Sequence, residues 1–315
     1  MEARLAGTQA TGVSGAASVL AGPLYDHRVS ELHPLLLEWY DEHARDLPWR
    51  RTSATAWGVL VSELMLQQTP VARVLPVYTV WMERWPTPAS LASAPVGDAI
   101  RAWGRLGYPR RATRLHGAAT AITEQHAGVV PDSYDALRAL PGVGDYTAAA
   151  VASFAYGARH VVLDTNVRRV LARTLSGTEY APPSVTVAER RLAEGVLPVE
   201  DAPLWAVATM ELGALVCTAT NPTCSACPVA DQCAWLLAGS PAHSGPPRRG
   251  QAWAGTDRQC RGRVMAVLRD ADGPVHRSVL DAVWADEDQR ERALSGLVTD
   301  GLIEQTGPDT YALPS

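Results

Sequence analysis

The chain contains no lysine, because all 28 of its basic residues are arginine. A side-chain amine that could attack a carbonyl group and form a Schiff base is therefore missing. The amine of Met1 is the one formal exception, and we expect it on a disordered leader that makes a poor nucleophile. Covalent amine catalysis by a side chain is thus excluded.

Long apolar runs and a signal peptide are missing as well. A membrane-spanning helix needs about 20 consecutive apolar residues, and no such run occurs. The first residues are rich in Ala, Gly, Ser and Thr, without the basic start and apolar block of a secretory signal. We interpret residues 1–29 as a disordered leader, and we expect a cytoplasmic protein with no membrane partner.

An excess of positive charge is also missing, because the net charge is −5. This balance counts mildly against nucleic-acid binding, but the charges are unevenly placed: residues 260–315 hold 6 Arg against 10 Asp and Glu. Two arginine clusters occur elsewhere, one with Arg101, Arg105, Arg110, Arg111 and Arg114 and the other with Arg168, Arg169 and Arg173. Each is either a basic face for a phosphate backbone or an ordinary solvated helix surface.

Apolar residues recur at helical spacing from about residue 30 to 237, where convincing alternating strands are missing. The sequence therefore predicts an all-α body. The predicted helices include Trp57–Gln68, Val71–Trp85 with a break at Pro76, and Tyr146–Tyr156. Glycine, proline and serine are frequent in 238–256, which we interpret as a linker. Residues 257–315 predict three short helices and a β-hairpin, which indicates a winged-helix-like module.

Four of the five cysteines lie close together, at Cys217, Cys224, Cys227 and Cys233. Without a secretion signal, a disulfide framework is not expected. Four thiolates within 17 residues can surround one centre, and thiolate-only ligation selects zinc or an iron–sulfur cluster. Zinc ribbons usually pair two Cys-x-x-Cys knuckles, whereas this segment has one. The spacing favours a cluster and leaves zinc open.

A glycine-rich turn occurs in Leu140–Ala148, between a short predicted helix and a longer apolar one. Gly142 and Gly144 permit a tight turn, and the free N–H groups of the following helix then face outward. Such a turn can bind a phosphate group without regard to base sequence. The alternative is an ordinary packing corner between two helices.

Two carboxylates have surroundings that make them candidates for catalysis. Asp164 follows the apolar run Val161–Leu163 and precedes a predicted helix, so it is either a helix N-cap or an ionised group near positive helix ends. Glu63 lies between apolar residues on a predicted helix. It is either on the polar edge of that helix or a partly buried acid, whose pKa would be raised by desolvation so that it holds a proton near neutral pH.

Together these motifs resemble one known family. The cysteine spacing and the glycine turn followed by Asp164 resemble the endonuclease III superfamily of helix–hairpin–helix DNA repair enzymes. Ser62–Thr69 is similar to the Ser-Glu-x-Met-Leu-Gln-Gln-Thr motif of MutY-type adenine DNA glycosylases. Further similar segments are Pro48–Arg50, Gly104–Tyr108 and Met210–Ala214. The resemblance covers 30–237, about two thirds of the chain.

The resemblance implies an all-α, helix–hairpin–helix DNA glycosylase fold. It places a six-helix barrel domain, which includes the helix–hairpin–helix, at 47–159. An iron–sulfur helical domain is expected to combine 30–46 with 160–237. The small winged-helix-like module at 257–315 would follow the linker.

The resemblance also implies excision of adenine mispaired with 8-oxoguanine, or with guanine, from double-stranded DNA by a monomer, which would be associated with the nucleoid. Glu63 would act as general acid, and Asp164 would stabilise the oxocarbenium-like sugar. Tyr146 and Asn166 would orient the carboxylates and the attacking water. A [4Fe–4S] cluster is expected on the four clustered cysteines. The expected DNA contacts are Arg50, Gln68, Thr69, Tyr108, Arg110, Gly142 and Gly144.

Three features set this chain apart within the superfamily. Tyr146 stands where endonuclease III enzymes carry the lysine that nicks the strand, which implies a glycosylase that leaves an abasic site. Pro109 stands where most MutY-type enzymes have a second tyrosine, so contact with the opposite base must differ there. The C-terminal residues are too few for the Nudix-like domain of many relatives.

Other interpretations stay open at this point. A glycosylase for oxidised pyrimidines or thymine mismatches would be a related enzyme, although Glu63 and the absence of lysine count against it. A non-catalytic DNA-binding regulator with a redox-sensing cluster would belong to another class, as would a zinc-stabilised adaptor.

Overall fold

The computed structural model describes residues 23–245 and 253–315, with the backbone alone for 23–30. The predicted leader, 1–29, lies largely outside the described residues, although the first helix begins within it, at Pro23. The predicted linker, 238–256, lies partly outside them.

Helices dominate the described residues, as the sequence predicts. The α-helices are α1 (Pro23–His43), α2 (Ala56–Leu66), α3 (Val71–Arg84), α4 (Pro88–Ala92), α5 (Val96–Trp103), α6 (Arg110–Gln125), α7 (Tyr134–Ala139), α8 (Asp145–Tyr156), α9 (Thr165–Thr174), α10 (Val187–Val196), α11 (Ala202–Leu215), α12 (Ala234–Leu237), α13 (Asp257–Asp270), α14 (Arg277–Asp281) and α15 (Glu287–Thr299). Short 3-10 helices span Pro48–Arg50, Cys224–Ala226 and Ala230–Gln232. The strands are β1 (Val275–His276), β2 (Glu304–Gly307) and β3 (Thr310–Ala312). None of the described helices is both long and apolar enough to cross a bilayer.

The chain folds into two compact units, each built from two separate stretches of sequence. Among the described residues, the first unit combines 23–44 with 165–243, and the second combines 45–164 with 244–245 and 253–315. The C-terminal residues, which the sequence sets apart as a module of their own, group with the second unit.

In the first unit, α11 packs against α1 and α9, and α12 packs against α9. Leu32, Leu36 and Trp39 of α1 are buried, which is the i, i+4, i+7 spacing of one apolar helix face. The segment between α11 and α12 carries two 3-10 helices and all four of the clustered cysteines.

In the second unit, α2 is the central helix and packs against α3, α6 and α8. All residues from Trp57 to Met65 are buried, so α2 contacts protein on every side. Thr55 caps its start by accepting a hydrogen bond from the Gly58 N–H at 3.1 Å. The helix ends at Leu66, before the predicted end, since Gln68 adopts a φ of 53°. Any polar side chain in the middle of α2 is therefore removed from water.

Three indole rings form the centre of the core beside α2. Trp81 lies edge to face with Trp85 and with Trp103, with ring centroids 4.7 and 5.7 Å apart. Pairs of this kind contribute about 0.5–1.5 kcal/mol each beyond the area they bury. They join α3 to α5 and thereby hold the loop that follows Trp103.

Two local predictions are corrected by the structure. The expected break at Pro76 does not occur, because α3 runs through it from Val71 to Arg84. Proline removes one backbone hydrogen bond, and the buried side chains of Val74, Tyr78 and Trp81 hold the helix on both sides of it. Helix α4 is missing from the predictions because its five residues are too few to show a helical period.

The C-terminal residues form the three helices and the hairpin that the sequence predicts, together with one strand that it misses. The sheet has the order β1-β3-β2 and is antiparallel, with Val275 opposite Tyr311 and Gln305 also opposite Tyr311. Strand β1 has two residues, which is too short for an alternating pattern. Three helices with a small antiparallel sheet agree with a winged-helix-like module.

This C-terminal module packs against α5 and the start of α6. The N–H of Gly97 donates to the Pro314 carbonyl at 2.7 Å. Arg101 donates to the carbonyls of Arg269 and Ala271 at 3.1 and 3.0 Å. These bonds join backbone to backbone or arginine to carbonyl, and they hold the module against α5.

Replacing Gly97 by valine should weaken this attachment. A Cβ atom at residue 97 would lie 2.5 Å from the Pro314 carbonyl oxygen and 2.9 Å from Leu313 Cβ, so the chain end must shift. Overpacking of this kind costs about 1–3 kcal/mol, and we expect a lower urea midpoint and faster proteolysis of the C-terminal residues. Gly273→Ala is the control, because its Cβ would meet nothing within 4 Å. Equal midpoints and equal proteolysis for the two variants would contradict the proposed contact.

Candidate active site

Glu63 lies in the middle of the buried helix α2 and is 5% exposed. All residues of α2 from Trp57 to Met65 are buried, so the carboxylate form of Glu63 has lost its hydration. This desolvation is the largest cause that raises the pKa of Glu63 from an ordinary 4.5 to about 7. A large fraction of the Glu63 side chains is therefore protonated at neutral pH, as the buried-acid interpretation requires.

Tyr146 is the single side chain that donates a hydrogen bond to Glu63 within the described residues. Its hydroxyl lies 2.8 Å from Glu63 Oε2, and this bond lowers the pKa of Glu63 in opposition to desolvation. The pKa of Tyr146 is raised well above 10, first by burial and then by the charges of Glu63 and Asp164. Tyr146 is therefore a neutral, permanent donor that leaves Glu63 Oε1 as the oxygen able to carry the proton.

The charges of Asp164 and Arg50 shift the pKa values of Glu63 and Tyr146 in opposite directions. The negative charge of Asp164 raises the pKa of both Glu63 and Tyr146, whereas the positive charge of Arg50 lowers both. Arg50 ends the 3-10 helix that packs against α2, and Asp164 ends the loop after α8. The structure thus brings Glu63, Tyr146 and Asp164 together as predicted, and it adds Arg50, which the sequence indicated as a DNA contact.

This arrangement combines two carboxyl groups of different burial in a single small region. Glu63 is buried, whereas Asp164 is partly exposed. Two carboxyl groups with separated pKa values can serve as a proton donor and a charge stabiliser, respectively. Such a pair suits cleavage of a glycosidic bond.

Asn166 belongs to the first unit, where a guanidinium holds its side chain. Arg169 donates to Asn166 Oδ1 at 2.8 Å and to the Cys217 carbonyl at 2.7 Å. Asn166 also packs on Gly213, where an added Cβ would lie 2.7 Å from Asn166 Cβ. Arg169 therefore links Asn166, which lies two residues after Asp164, to the backbone of Cys217.

The glycine turn predicted as a phosphate site forms the connection between α7 and α8. Gly142 has a φ of 77°, and a Cβ there would lie 2.5 Å from the Cβ of Arg114, so glycine is required at this position. Gly144 caps α8 without a side-chain hydrogen bond and faces open space. The first N–H groups of α8 can therefore reach an external anion.

The residues predicted to enter DNA differ in their exposure. Gln68 is exposed, and Tyr108 is 51% exposed. Both have left-handed backbone conformations, with φ of 53° and 47°, which non-glycine residues rarely adopt. Thr69 is 6% exposed, and its hydroxyl accepts a hydrogen bond from Arg111 at 3.2 Å. Gln68 and Tyr108 are thus presented to solvent, while Thr69 is part of their support.

The first arginine cluster is not a uniform basic face. Arg110 has an exposed side chain, which forms a salt bridge with Asp300 of the C-terminal module at 3.1 Å. Arg111 instead points into the protein and is 4% exposed. Sequence reasoning missed this role, although Arg111, Leu115, Ala118 and Ile122 share one buried face of α6 at helical spacing.

The second arginine cluster is not a phosphate-binding face either. Arg168 forms a bidentate salt bridge with Glu189 at 2.7 and 2.8 Å. Arg173 is 1% exposed and donates to Cys217 Sγ at 3.4 Å and to the Thr218 carbonyl at 2.8 Å. The packing of α9 against α11 and α12 turns these side chains inward, which a charge pattern by itself does not indicate.

The four clustered cysteines line one cavity. Arg173, Leu212, Val216, Pro222, Trp235 and Leu236 are among the other residues around it. Burial is the main cause that raises the pKa of Cys227, and each of the other three thiols raises it further. Among the described residues, no three His, Cys, Asp or Glu side chains form a group that could hold a single metal ion. The donor set consists of thiols alone, which fits an iron–sulfur cluster as the sequence predicts.

Comparisons with known proteins agree with this geometry. A family model described as HhH-GPD superfamily base excision DNA repair protein matches residues 61–196. An adenine DNA glycosylase of Mycobacterium tuberculosis is 53% identical over 281 residues, which are 89% of this chain and 92% of that protein. The adenine DNA glycosylase of Homo sapiens is 44% identical over 209 residues, which are 63% of this chain and 38% of that protein.

A solved structure shows the same fold at lower sequence identity. A thermostable thymine-DNA glycosylase superposes with a TM-score of 0.61 at 25% identity and covers 68% of this chain and 98% of that chain. The region matched by the family model contains Glu63, Tyr146 and Asp164. The predicted helix–hairpin–helix glycosylase fold is confirmed.

The raised pKa of Glu63 predicts a pH-dependent contribution to stability. Because the folded protein binds the Glu63 proton more tightly than the unfolded chain, this contribution is present below about pH 4.5 and is lost as the pH rises to about 7. As the pH rises from 4.5 to 7, the free energy of unfolding of the wild type should therefore fall by about 3 kcal/mol relative to that of Glu63→Gln. Urea titrations followed by circular dichroism at several pH values measure the difference.

Glu83→Gln is the matched control for this experiment. Glu83 is exposed on the neighbouring helix α3, and its replacement should leave the pH profile of stability unchanged. If the profiles of Glu63→Gln and the wild type run parallel from pH 4.5 to 7, the pKa of Glu63 is not raised by folding.

Proposed function

The chain belongs to the adenine DNA glycosylases of the HhH-GPD superfamily, which hydrolyse N-glycosyl bonds in base excision repair, and we propose that it excises adenine mispaired with 8-oxoguanine or guanine. The observation that carries this proposal is the buried, neutral Glu63 held by Tyr146 beside Asp164. The 53% identity to an adenine enzyme disfavours a pyrimidine glycosylase, a regulator and a zinc adaptor.

Glu63 is proposed as the general acid. A base within a duplex must first be flipped out of the stack to reach a protein side chain. Adenine is a poor leaving group until a ring nitrogen is protonated, and an acid with a pKa near 7 can deliver that proton at neutral pH. The Tyr146 hydroxyl holds Oε2, so the proton on Oε1 can be directed at the base.

Asp164 is proposed to stabilise the sugar cation. Breaking the bond between base and sugar leaves an oxocarbenium-like centre, and a fixed carboxylate beside it lowers the energy of that charge. Asp164 already acts electrostatically on Glu63 and Tyr146. The same negative charge helps Glu63 to keep its proton until the base is in place.

The product is expected to be an abasic site in an intact strand. Tyr146 occupies the start of α8, and the chain offers no lysine for a Schiff base. Water is then the nucleophile, which Glu63 can deprotonate after giving its proton to adenine. Asn166, held by Arg169, is proposed to orient that water.

The proposed DNA contacts follow from exposure and charge. Gln68 and Tyr108 are exposed on left-handed turns and can enter the duplex near the opposite base. The turn at Gly142 and Gly144 offers free N–H groups to a phosphate. Arg110 can exchange Asp300 for a phosphate oxygen, because its side chain is already 59% exposed. One monomer is sufficient for this set of contacts.

A [4Fe–4S] cluster is proposed in the cavity of the first unit. Cys217, Cys224, Cys227 and Cys233 would hold it, and Arg173 would donate to the first of these sulfurs. Such a cluster supplies redox capacity and fixes the loop that carries its ligands. Arg169 joins the Cys217 backbone to Asn166, so an ordered cysteine loop also orders the start of α9.

Replacing Glu63 by glutamine should abolish adenine release. Glutamine keeps the shape and can accept from Tyr146 but has no acidic proton, so a loss of at least about 10²-fold is expected. The measurement is the single-turnover release of adenine from a duplex with one adenine:8-oxoguanine pair. In the wild type, the rate should fall as the pH rises above about 7, because the acid is then ionised.

Glu83→Gln should retain the wild-type rate, since Glu83 is an exposed residue of α3 away from these contacts. Processing of a duplex with thymine glycol, together with no release of adenine from either mispair, would refute the proposed substrate. Full activity of Glu63→Gln would refute the proposed acid.

Replacing Cys227 by serine should remove the cluster. The wild type is expected to contain about four iron and four sulfide ions per chain and to be brown, while the serine variant should lose most of the iron and the visible absorption. Cys260→Ala is the control, because Cys260 lies in α13 outside the cavity. Zinc in place of iron in the purified wild type would contradict the cluster.

A further inference from the structure

Arg111 is a buried cation that joins two separate segments of the second unit. It lies in the first turn of α6, and its guanidinium donates mainly to backbone carbonyl oxygens. The acceptors are Leu64 O at 3.0 Å, Met65 O at 3.2 Å, Gln67 O, Thr69 Oγ1 at 3.2 Å and Gly107 O at 3.1 Å. Four of these acceptors lie at the end of α2 or just after it, and the fifth lies in the loop before α6.

The guanidinium also packs between two aromatic rings. Its central carbon lies 5.3 Å from the centroid of Tyr108 and 5.4 Å from that of Trp103. Trp103 in turn donates to the same Gly107 carbonyl at 3.0 Å. Burial lowers the pKa of Arg111 to about 10, so the group remains charged at neutral pH. A planar fork with several donors can satisfy this many acceptors, which a lysine ammonium cannot.

The two segments that Arg111 joins are the ones that present strained, exposed residues. Gln68 and Tyr108 have φ of 53° and 47°, and such conformations persist only when their surroundings hold them. Arg111 binds the residues on both sides of Gln68, and it binds the residue before Tyr108 as well as the Tyr108 ring. Glu63 directly precedes Leu64, whose carbonyl is one of the acceptors.

We propose that Arg111 is a positioning residue that fixes the Gln68 turn relative to the Tyr108 turn and thereby sets the preference for the base opposite adenine. This inference rests on the proposed function, in which both turns enter the duplex. The contacts imply that reading the opposite base at Tyr108 and presenting adenine to Glu63 are mechanically connected through one guanidinium. A change at Arg111 should then alter discrimination between mispairs and not merely the overall rate.

The test compares Arg111→Lys with the wild type on two duplexes. Single-turnover rates and substrate affinities are measured for adenine opposite 8-oxoguanine and adenine opposite guanine, after circular dichroism has shown that the variant is folded. We expect the ratio of the two rates to change by about 10-fold, since misplacement of groups far from the reacting atoms can cost up to about 10²-fold. Arg84→Lys, on the exposed face of α3, should leave the ratio unchanged.

A second variant keeps the test decisive if Arg111→Lys does not fold. Thr69→Val removes one acceptor of Arg111 with little change in volume, and it should shift the ratio in the same direction by a few-fold. If a folded variant slows both duplexes equally, Arg111 has only a structural role and the proposal is wrong. If the wild type releases adenine from neither duplex, the proposed function fails instead, and this result is distinguishable from an unchanged ratio.

Discussion

The hydrogen bond from Tyr146 to the buried carboxyl group of Glu63 is the interaction on which the rest of the site depends. Helix α2 is buried on every side, so the carboxyl group of Glu63 can neither reach solvent nor ionise at its ordinary pH. A single neutral donor offsets part of this desolvation without removing the proton. The surrounding residues, including the capped start of α2 and the indole core, hold that donor and acceptor in register.

Around this bond, the second unit arranges groups that oppose one another in charge. Asp164 favours the protonated form of Glu63, and Arg50 disfavours it, so the pKa results from a balance of both. Elsewhere in the second unit, two left-handed turns carry the exposed side chains of Gln68 and Tyr108, and the buried Arg111 cross-links them. The exposed side chains of Gln68 and Tyr108 are thus held by residues that are themselves as buried as the core, Arg111 and Thr69.

The C-terminal module differs from the rest of the chain in its electrostatics. Several of its arginines are paired with its own carboxylates, as in Arg261 with Asp300 and Arg290 with Asp281. An acidic surface with paired arginines is poorly suited to bind a phosphate backbone. Its contacts with α5 and Arg110 instead favour a supporting role beside the Tyr108 turn.

The sequence by itself determined the helical fold class, the pair of carboxylates, the donor set of four thiols and the absence of an amine nucleophile. These features depend on residue type, period and spacing, all of which are local. Only the tertiary structure decided that Arg111 and Arg173 point inward, that Thr69 supports Gln68, that α3 continues through Pro76 and that Arg50 faces Glu63. Burial and pairing depend on which distant segments meet, and a charge or a proline in one segment does not carry that information.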